Sequence, residues 1–304
     1  MTEGFGEPQG GAPMDTATTT GPVTAAGRHG GAPMSAAIQL PAAVEAPTAS
    51  KAVVFLAVLR RDLYVTWREL PVFLAQVVLQ PLFLLFVFGR VLADLGFTRP
   101  GYTEVLFPGI VAMTAVLTAL QSTAFPLVID FSFTKEIEDR LLAPMPVAMV
   151  GVEKIVFAAM RAVVAAIIMF PVGVLVLGSI PWQASGVPLL VTIVLLGSLV
   201  GAALGLILGT AVPVNRINVL FALILTPLLF TGASQYPWAS LEQLRWFQVL
   251  TALNPLTYVS EGMRAALVPT VPHIPPWISV LVLTASLVAF TAVGIRLFLR
   301  RAID

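Results

Sequence analysis

The sequence predicts an all-α membrane protein with six spanning helices, and three observations carry that prediction. The 304 residues are 58% hydrophobic and only 11% charged, with a mean hydropathy of +0.92. Soluble domains carry roughly 25% charged residues. Six apolar stretches stand close to the ~20 residues that a spanning helix needs. Lysine and arginine collect on alternate sides of those stretches. With the N-terminus inside, 13 of the 17 fall on the cytoplasmic side and four, Arg90, Arg99, Arg245 and Arg264, on the outer side. That bias predicts both termini in the cytoplasm.

Along the chain, residues 1–50 come first, as a separate domain. They are rich in Gly, Ala, Pro and Thr, hold Gly-Gly-Ala-Pro-Met at Gly10–Met14 and again at Gly30–Met34, and contain no apolar run that could act as a signal sequence. Such a segment buries too little apolar surface to offset its ordering entropy, and reads as a disordered cytoplasmic tail. Residues 51–304 form the six-span domain. Lys51–Leu70 opens it as an amphipathic helix: Phe55, Leu59, Leu63 and Trp67 recur every four positions between Arg60, Arg61, Arg68 and Glu69. This pattern suits a helix lying in the inner interface, or a plain cytoplasmic extension of the first span.

The spans follow at about Pro71–Val91, Val105–Ile129, Ile155–Leu177, Pro188–Val212, Asn218–Ser234 and Trp277–Phe298. Pro181, Trp182 and Gly186 supply the turn between the third and fourth. The fifth is short and holds Pro227 and Gly232, which predicts a kinked or partly re-entrant helix.

Charge is informative because it is scarce. Asp130–Lys154 carries Lys135, Glu136, Glu138, Asp139, Arg140, Glu153 and Lys154 beside Leu141-Leu142-Ala143-Pro144-Met145-Pro146. The segment is a solvated loop or a short helix that docks a cytoplasmic partner. No charge lies between Arg216 and Glu242, or between Arg264 and Arg296. Glu261 and Arg264 therefore interrupt a desert. Asn254-Pro255 before them is a helix start, with Asn as cap and Pro at the first helical position. A helix from there through Ala266 sets the two charges one turn apart. Gln235–Pro276 thus predicts a re-entrant outer cap, with the pair either neutralising two buried charges or gating an outer exit.

Within the fourth span, Gly197, Gly201, Gly205 and Gly209 form a small-residue stripe for close helix packing, against this chain or a second copy. Gln76 and Gln80 share a face of the first span. Thr114, Thr118, Gln121 and Ser122 share a face of the second. Such groups point into the bundle, as interhelical hydrogen bonds or as the lining of a substrate path.

Several classes are excluded. Without cysteine, and with only His29 and His273, disulfides and thiolate metal sites are absent and a histidine site has no basis. No basic run points to nucleic acid. No Gly is followed by Lys, so the chain has no P-loop, and it carries neither His-Glu-x-x-His nor Gly-x-Ser-x-Gly. No enzymatic site is expected in this chain.

Three segments together resemble the permease subunits of type-2 ABC exporters, particularly the daunorubicin-resistance-like group. They are Leu253-Asn254-Pro255-Leu256-Thr257-Tyr258 through Glu261-Gly262-Met263-Arg264; Glu138–Pro146 with Gly151 and Lys154; and Phe230-Thr231-Gly232-Ala233 with Tyr236-Pro237. In the second, Ala143-Pro144-Met145 stands where that family commonly has Thr-Pro-Val. The resemblance covers about Lys51–Asp304. It implies a multi-pass subunit of a plasma membrane, that of a bacterial cell. Two ATP-binding subunits would accompany it, hydrolysing ATP with Mg, together with a second permease copy or paralogue and membrane lipid.

The resemblance further implies a cytoplasmic coupling helix between spans two and three, with Glu136, Glu138, Asp139, Arg140, Leu141, Leu142 and Lys154 meeting the ATPase. Asn254, Pro255, Tyr258, Glu261 and Arg264 mark the outer cap, and Gln76, Gln80 and Gln121 the possible path. The function expected is export of a hydrophobic drug, antibiotic or lipid. The rivals are an ATPase-independent secondary transporter or channel, and an intramembrane enzyme acting on lipid.

Overall fold

A computed structural model describes residues 50–131, 146–212 and 217–303, within one compact unit, Pro47–Asp304. The expected disordered tail, and Glu136, Glu138, Asp139, Arg140, Leu141 and Leu142 of the expected coupling helix, lie outside the described residues. Every regular element among the described residues is helical. Helix α1, Lys51–Arg68, has no fully buried residue. Phe55, Leu59 and Leu63 are half-buried and Trp67 is exposed, so the four-residue repeat does form one face.

Helix α2 spans Leu70–Asp94 and is π-helical over Leu85–Val91. After a turn through Gly101, whose φ is +82°, α3 runs over Tyr102–Ile129. Pro146 starts α4, Val147–Leu177, and Gly178 at φ +79° ends it, the usual role of glycine past a helix C-terminus. The turn expected around Pro181–Gly186 is present. It leads into α5, Val187–Ala211, with Pro188 in its first turn. Helix α6 is Ile217–Thr231, α7 Arg245–Ala252, α8 Pro255–Leu267 and α9 Pro276–Ile303.

Among the described residues, five helices are long and apolar enough to cross a membrane: α2, α3, α4, α5 with its preceding turn, and α9. The fifth expected span, Asn218–Ser234, corresponds to α6. At 15 residues α6 reaches only about 22 Å along its axis, short of a hydrocarbon core of ~30 Å.

Burial sets the architecture. In α3, 83% of the most apolar stretch is buried, and in α5 61%, against 28% in α4, 22% in α2 and 17% in α9. A helix that is apolar all round belongs inside. Leu106 through Leu120 of α3 are all buried, and α4, α5 and α8 surround them. Helices α2 and α9 remain at the periphery and turn apolar faces outward.

Candidate functional site

At one end of the bundle, α8 is wedged among α3, α5 and α9. Its start is as the sequence predicts. Asn254 Oδ1 accepts a hydrogen bond from the Leu256 amide at 2.9 Å, and Pro255 takes the first helical position. The other end of the Asn254 amide donates to the Leu228 carbonyl at 2.7 Å and to Thr231 Oγ1 at 2.9 Å, which ties α6 to α8. Ser260 donates to the Gly232 carbonyl at 3.0 Å, and Tyr258 to the Ala252 carbonyl at 2.9 Å.

Glu261 and Arg264 are wholly buried and 2.7 Å apart. The Glu261 carboxylate also accepts the backbone amides of Trp238 at 2.9 Å and Ile274 at 3.1 Å. Arg264 donates through Nε to the Val105 carbonyl at 3.2 Å, and through Nη2 to the carbonyls of Ala233 and of Ser234, the latter at 3.1 Å. Burial pulls Arg264 below the ordinary arginine pKa, and Glu261 opposes the pull. A buried ion pair holds only when its remaining hydrogen-bonding capacity is filled, and here it is filled by four chain segments. Ala233 has φ +49°, a left-handed conformation that costs a non-glycine residue about 1–2 kcal/mol. It is held there with its carbonyl aimed at Arg264. Gly109 of α3 makes room for this: a Cβ there would overlap the Ser234 carbonyl and the Arg264 guanidinium. The cluster fastens backbone to backbone and leaves neither Glu261 oxygen idle for proton transfer.

The glycine stripe extends the same tight packing. Gly201, Gly205 and Gly209 lie against the α3 backbone at Val116, Leu120 and Ala124, and Gly197 against Val259 of α8. The partner that the sequence left open is therefore in the same chain.

The other end of the bundle is looser. Gln76 and Gln80 of α2 face Gln121, Thr114, Thr118 and Ser122 of α3 across a cavity of about 540 Å³. The two polar faces read from the sequence thus meet. Phe73, Gln76, Pro126 and Arg161 also line a second cavity of about 380 Å³, whose wall includes Arg61, Glu69, Asp130 and Lys154. Lys154 is buried and bonds Asp130 at 3.3 Å, with side chains 9% and 11% exposed. The pair joins the last turn of α3 to α4, the two ends of the charged segment.

Two features escaped the sequence reading. The Asp130–Lys154 bond is one, since nothing local in either residue's neighbours announces a partner 24 positions away. Arg161 is the other, although it is the last charge before the uncharged run from Ala162 to Asn215. Its guanidinium stacks 4.3 Å from the Phe73 ring centre. Among the described residues no cluster of three His, Cys, Asp or Glu could hold a metal ion.

Residues 53–268 match the ABC-2 type transporter family. The chain is 27% identical over 217 residues to a protein of Cyanophora paradoxa named "Putative transport permease ycf38", covering 69% of this chain and 72% of that one. A protein of the same name from Porphyra purpurea is 28% identical over 221 residues, covering 68% and 72%.

Proposed function

The chain belongs to the ABC-2 type transporter family, and from that premise we propose that it is the membrane subunit of an ATP-driven exporter. Family members normally work with an ATP-binding subunit. In our reading two such subunits, supplying ATP and Mg chemistry, pair with two permeases in a plasma membrane. Six crossings, with α6 as the fifth and both termini in the cytoplasm, complete this topology. The narrower likeness to the daunorubicin-resistance-like group belongs to the same proposal.

One observation carries the mechanism. The Asp130–Lys154 bond closes the two ends of the charged segment and lines a cavity that shares four wall residues with the glutamine-lined one. Partner motion received by Glu136, Glu138, Asp139, Arg140, Leu141 and Leu142 reaches α3 and α4 at that bond. It changes the wall beside Gln76, Gln80 and Gln121, where the cargo passes. Apart from Arg161, which also lines it, the wall is apolar or polar without charge and suits a hydrophobic drug, antibiotic or lipid, since it costs little to desolvate compared with a charged one. Asn254, Pro255, Tyr258, Glu261 and Arg264 serve as a fixed outer fastening, not as a moving gate.

Co-expression with the ATP-binding subunit tests this. Charge reversal at Glu138 and Arg140 is expected to abolish co-purification or stimulated ATPase activity. Unchanged assembly and stimulation would sink the coupling role. Gln76→Leu with Gln121→Leu is expected to alter efflux selectivity at unchanged ATPase assembly. Transport by the purified chain without a partner would instead favour a secondary transporter or channel, and lipid turnover by it an enzyme.

A further inference from the structure

A third cavity, of about 430 Å³, lies among α1, the start of α2, α4 and α5. Leu63 and Trp67 of α1, Met160 and Val164 of α4, and Leu195 and Leu199 of α5 line it. From Val156 to Val164 it follows α4 for about 12 Å. It starts beside α1 and ends against the middle of α5, with apolar walls nearly throughout. Thr66, Phe73 and Arg161 are shared between this groove and the charged cavity of about 380 Å³. The two spaces border each other at these residues and make an adjoining path, one part apolar and the other charged, with Arg161 in the wall of both.

Arg161 is unsettled by its surroundings. Its Nε is buried and has no hydrogen-bond partner among the described residues. Its guanidinium carbon stands 4.3 Å from the Phe73 ring centre and 5.8 Å from that of Phe157. Aromatic faces support the charge but do not fill the Nε–H donor, and a phosphate is an anion that a guanidinium fork fits. The charged cavity is balanced. Lys154 and Asp130 serve each other, while Arg61 and Glu69, both exposed, and Asp62, half-buried, line the wall with Arg161.

We infer that this path binds one phospholipid with a zwitterionic, primary-ammonium headgroup, that is, a phosphatidylethanolamine. Its phosphate sits on Arg161 with Arg61 beside it, its ammonium faces Glu69, and one acyl chain lies in the groove under Trp67. A purely anionic headgroup leaves Glu69 facing like charge, and a choline headgroup offers that carboxylate no N–H donor. The site shares Phe73, Gln76, Pro126 and Arg161 with the wall of the glutamine-lined cavity, but its acyl groove meets none of Gln76, Gln80 and Gln121, and the lipid there is a resident that braces α1 against α4. The inference rests on α1 lying at a membrane surface, and it is independent of what is transported.

To test it, the full-length chain is reconstituted in nanodiscs of equal parts phosphatidylethanolamine, phosphatidylcholine and phosphatidylglycerol. It is then extracted, and the retained lipid is quantified by mass spectrometry. Phosphatidylethanolamine is expected in excess, at one per chain. Arg161→Gln should lower its retention at least tenfold and Arg161→Lys less. Leu195→Trp, which fills the groove while Arg161 stays intact, should lower it as well. Only monodisperse variants are compared, and the Leu195 variant keeps the test decisive if Arg161→Gln does not fold. Equal retention of the three lipids, preference for phosphatidylglycerol, or retention unchanged in the variants would overturn the inference. None of these results depends on the partner ATPase or on export.

Discussion

Among the described residues, the buried ion pairs Glu261–Arg264 and Asp130–Lys154 are built in opposite ways. Glu261–Arg264 is at 2.7 Å, fully enclosed, with its remaining capacity taken up by backbone groups of four segments. Asp130–Lys154 is at 3.3 Å, about a tenth exposed, and faces a cavity. The first lies where Gly109 of α3 admits the Ser234 carbonyl and the Arg264 guanidinium, and the second where α1, α2 and α4 leave open volume. The same chemistry serves as a rivet at one end and as a joint at the other. The difference is the number of other bonds that must break before the pair can move.

The largest effect is expected at the rivet. Arg264→Met leaves Glu261 charged and enclosed, a loss of about 3–5 kcal/mol. It should show as failure to yield monodisperse protein or as a much lower melting temperature. Replacing both partners with apolar residues should recover part of that loss, because the stranded charge is gone. Next, Gly205→Leu drives a side chain into the Leu120 carbonyl of α3 and should cost about 1–3 kcal/mol or more in thermal unfolding.

At the joint, Lys154→Met leaves a carboxylate that water can still reach, so the stability cost is about 1–3 kcal/mol. Stimulated ATPase activity should fall far more than the melting temperature. An equal fall in both would erase the distinction between the two ends. Smallest is Ala233→Gly, which removes a left-handed alanine and should raise stability by about 1 kcal/mol while leaving transport unchanged.

Local chemistry was the legible part. Asn254-Pro255 announced α8 because capping and proline rules act within four residues. The glycine stripe and the faces of Gln76 and Gln80, and of Thr114, Thr118 and Gln121, followed from helical period. The positions of Lys and Arg, with the run from Ala162 to Asn215, gave the long spans. What was not legible depends on distant partners. The Val105 carbonyl that Arg264 meets is 159 positions away, and the bond from Lys154 to Asp130 crosses 24. The shortness of α6 was legible as well, since Pro227 and Gly232 interrupt its apolar run. Lys154 read as one more charge on a docking surface, and the fold turns it inward to hold the ends of that surface together.

The central claim is that partner motion enters at the joint while the rivet stays still. The chain has no cysteine, so spin labels can be placed without background. Tyr64→Cys with Val152→Cys, 65% and 37% exposed in the native chain, reports α1 against α4. Ala184→Cys with Ser240→Cys, both exposed, reports across the α8 end. Pulsed dipolar spectroscopy on the complex with its ATP-binding subunit would compare nucleotide-free and nucleotide-trapped states. A shifted distance for the first pair and an unchanged one for the second is the predicted result. A shift confined to the second pair would contradict it.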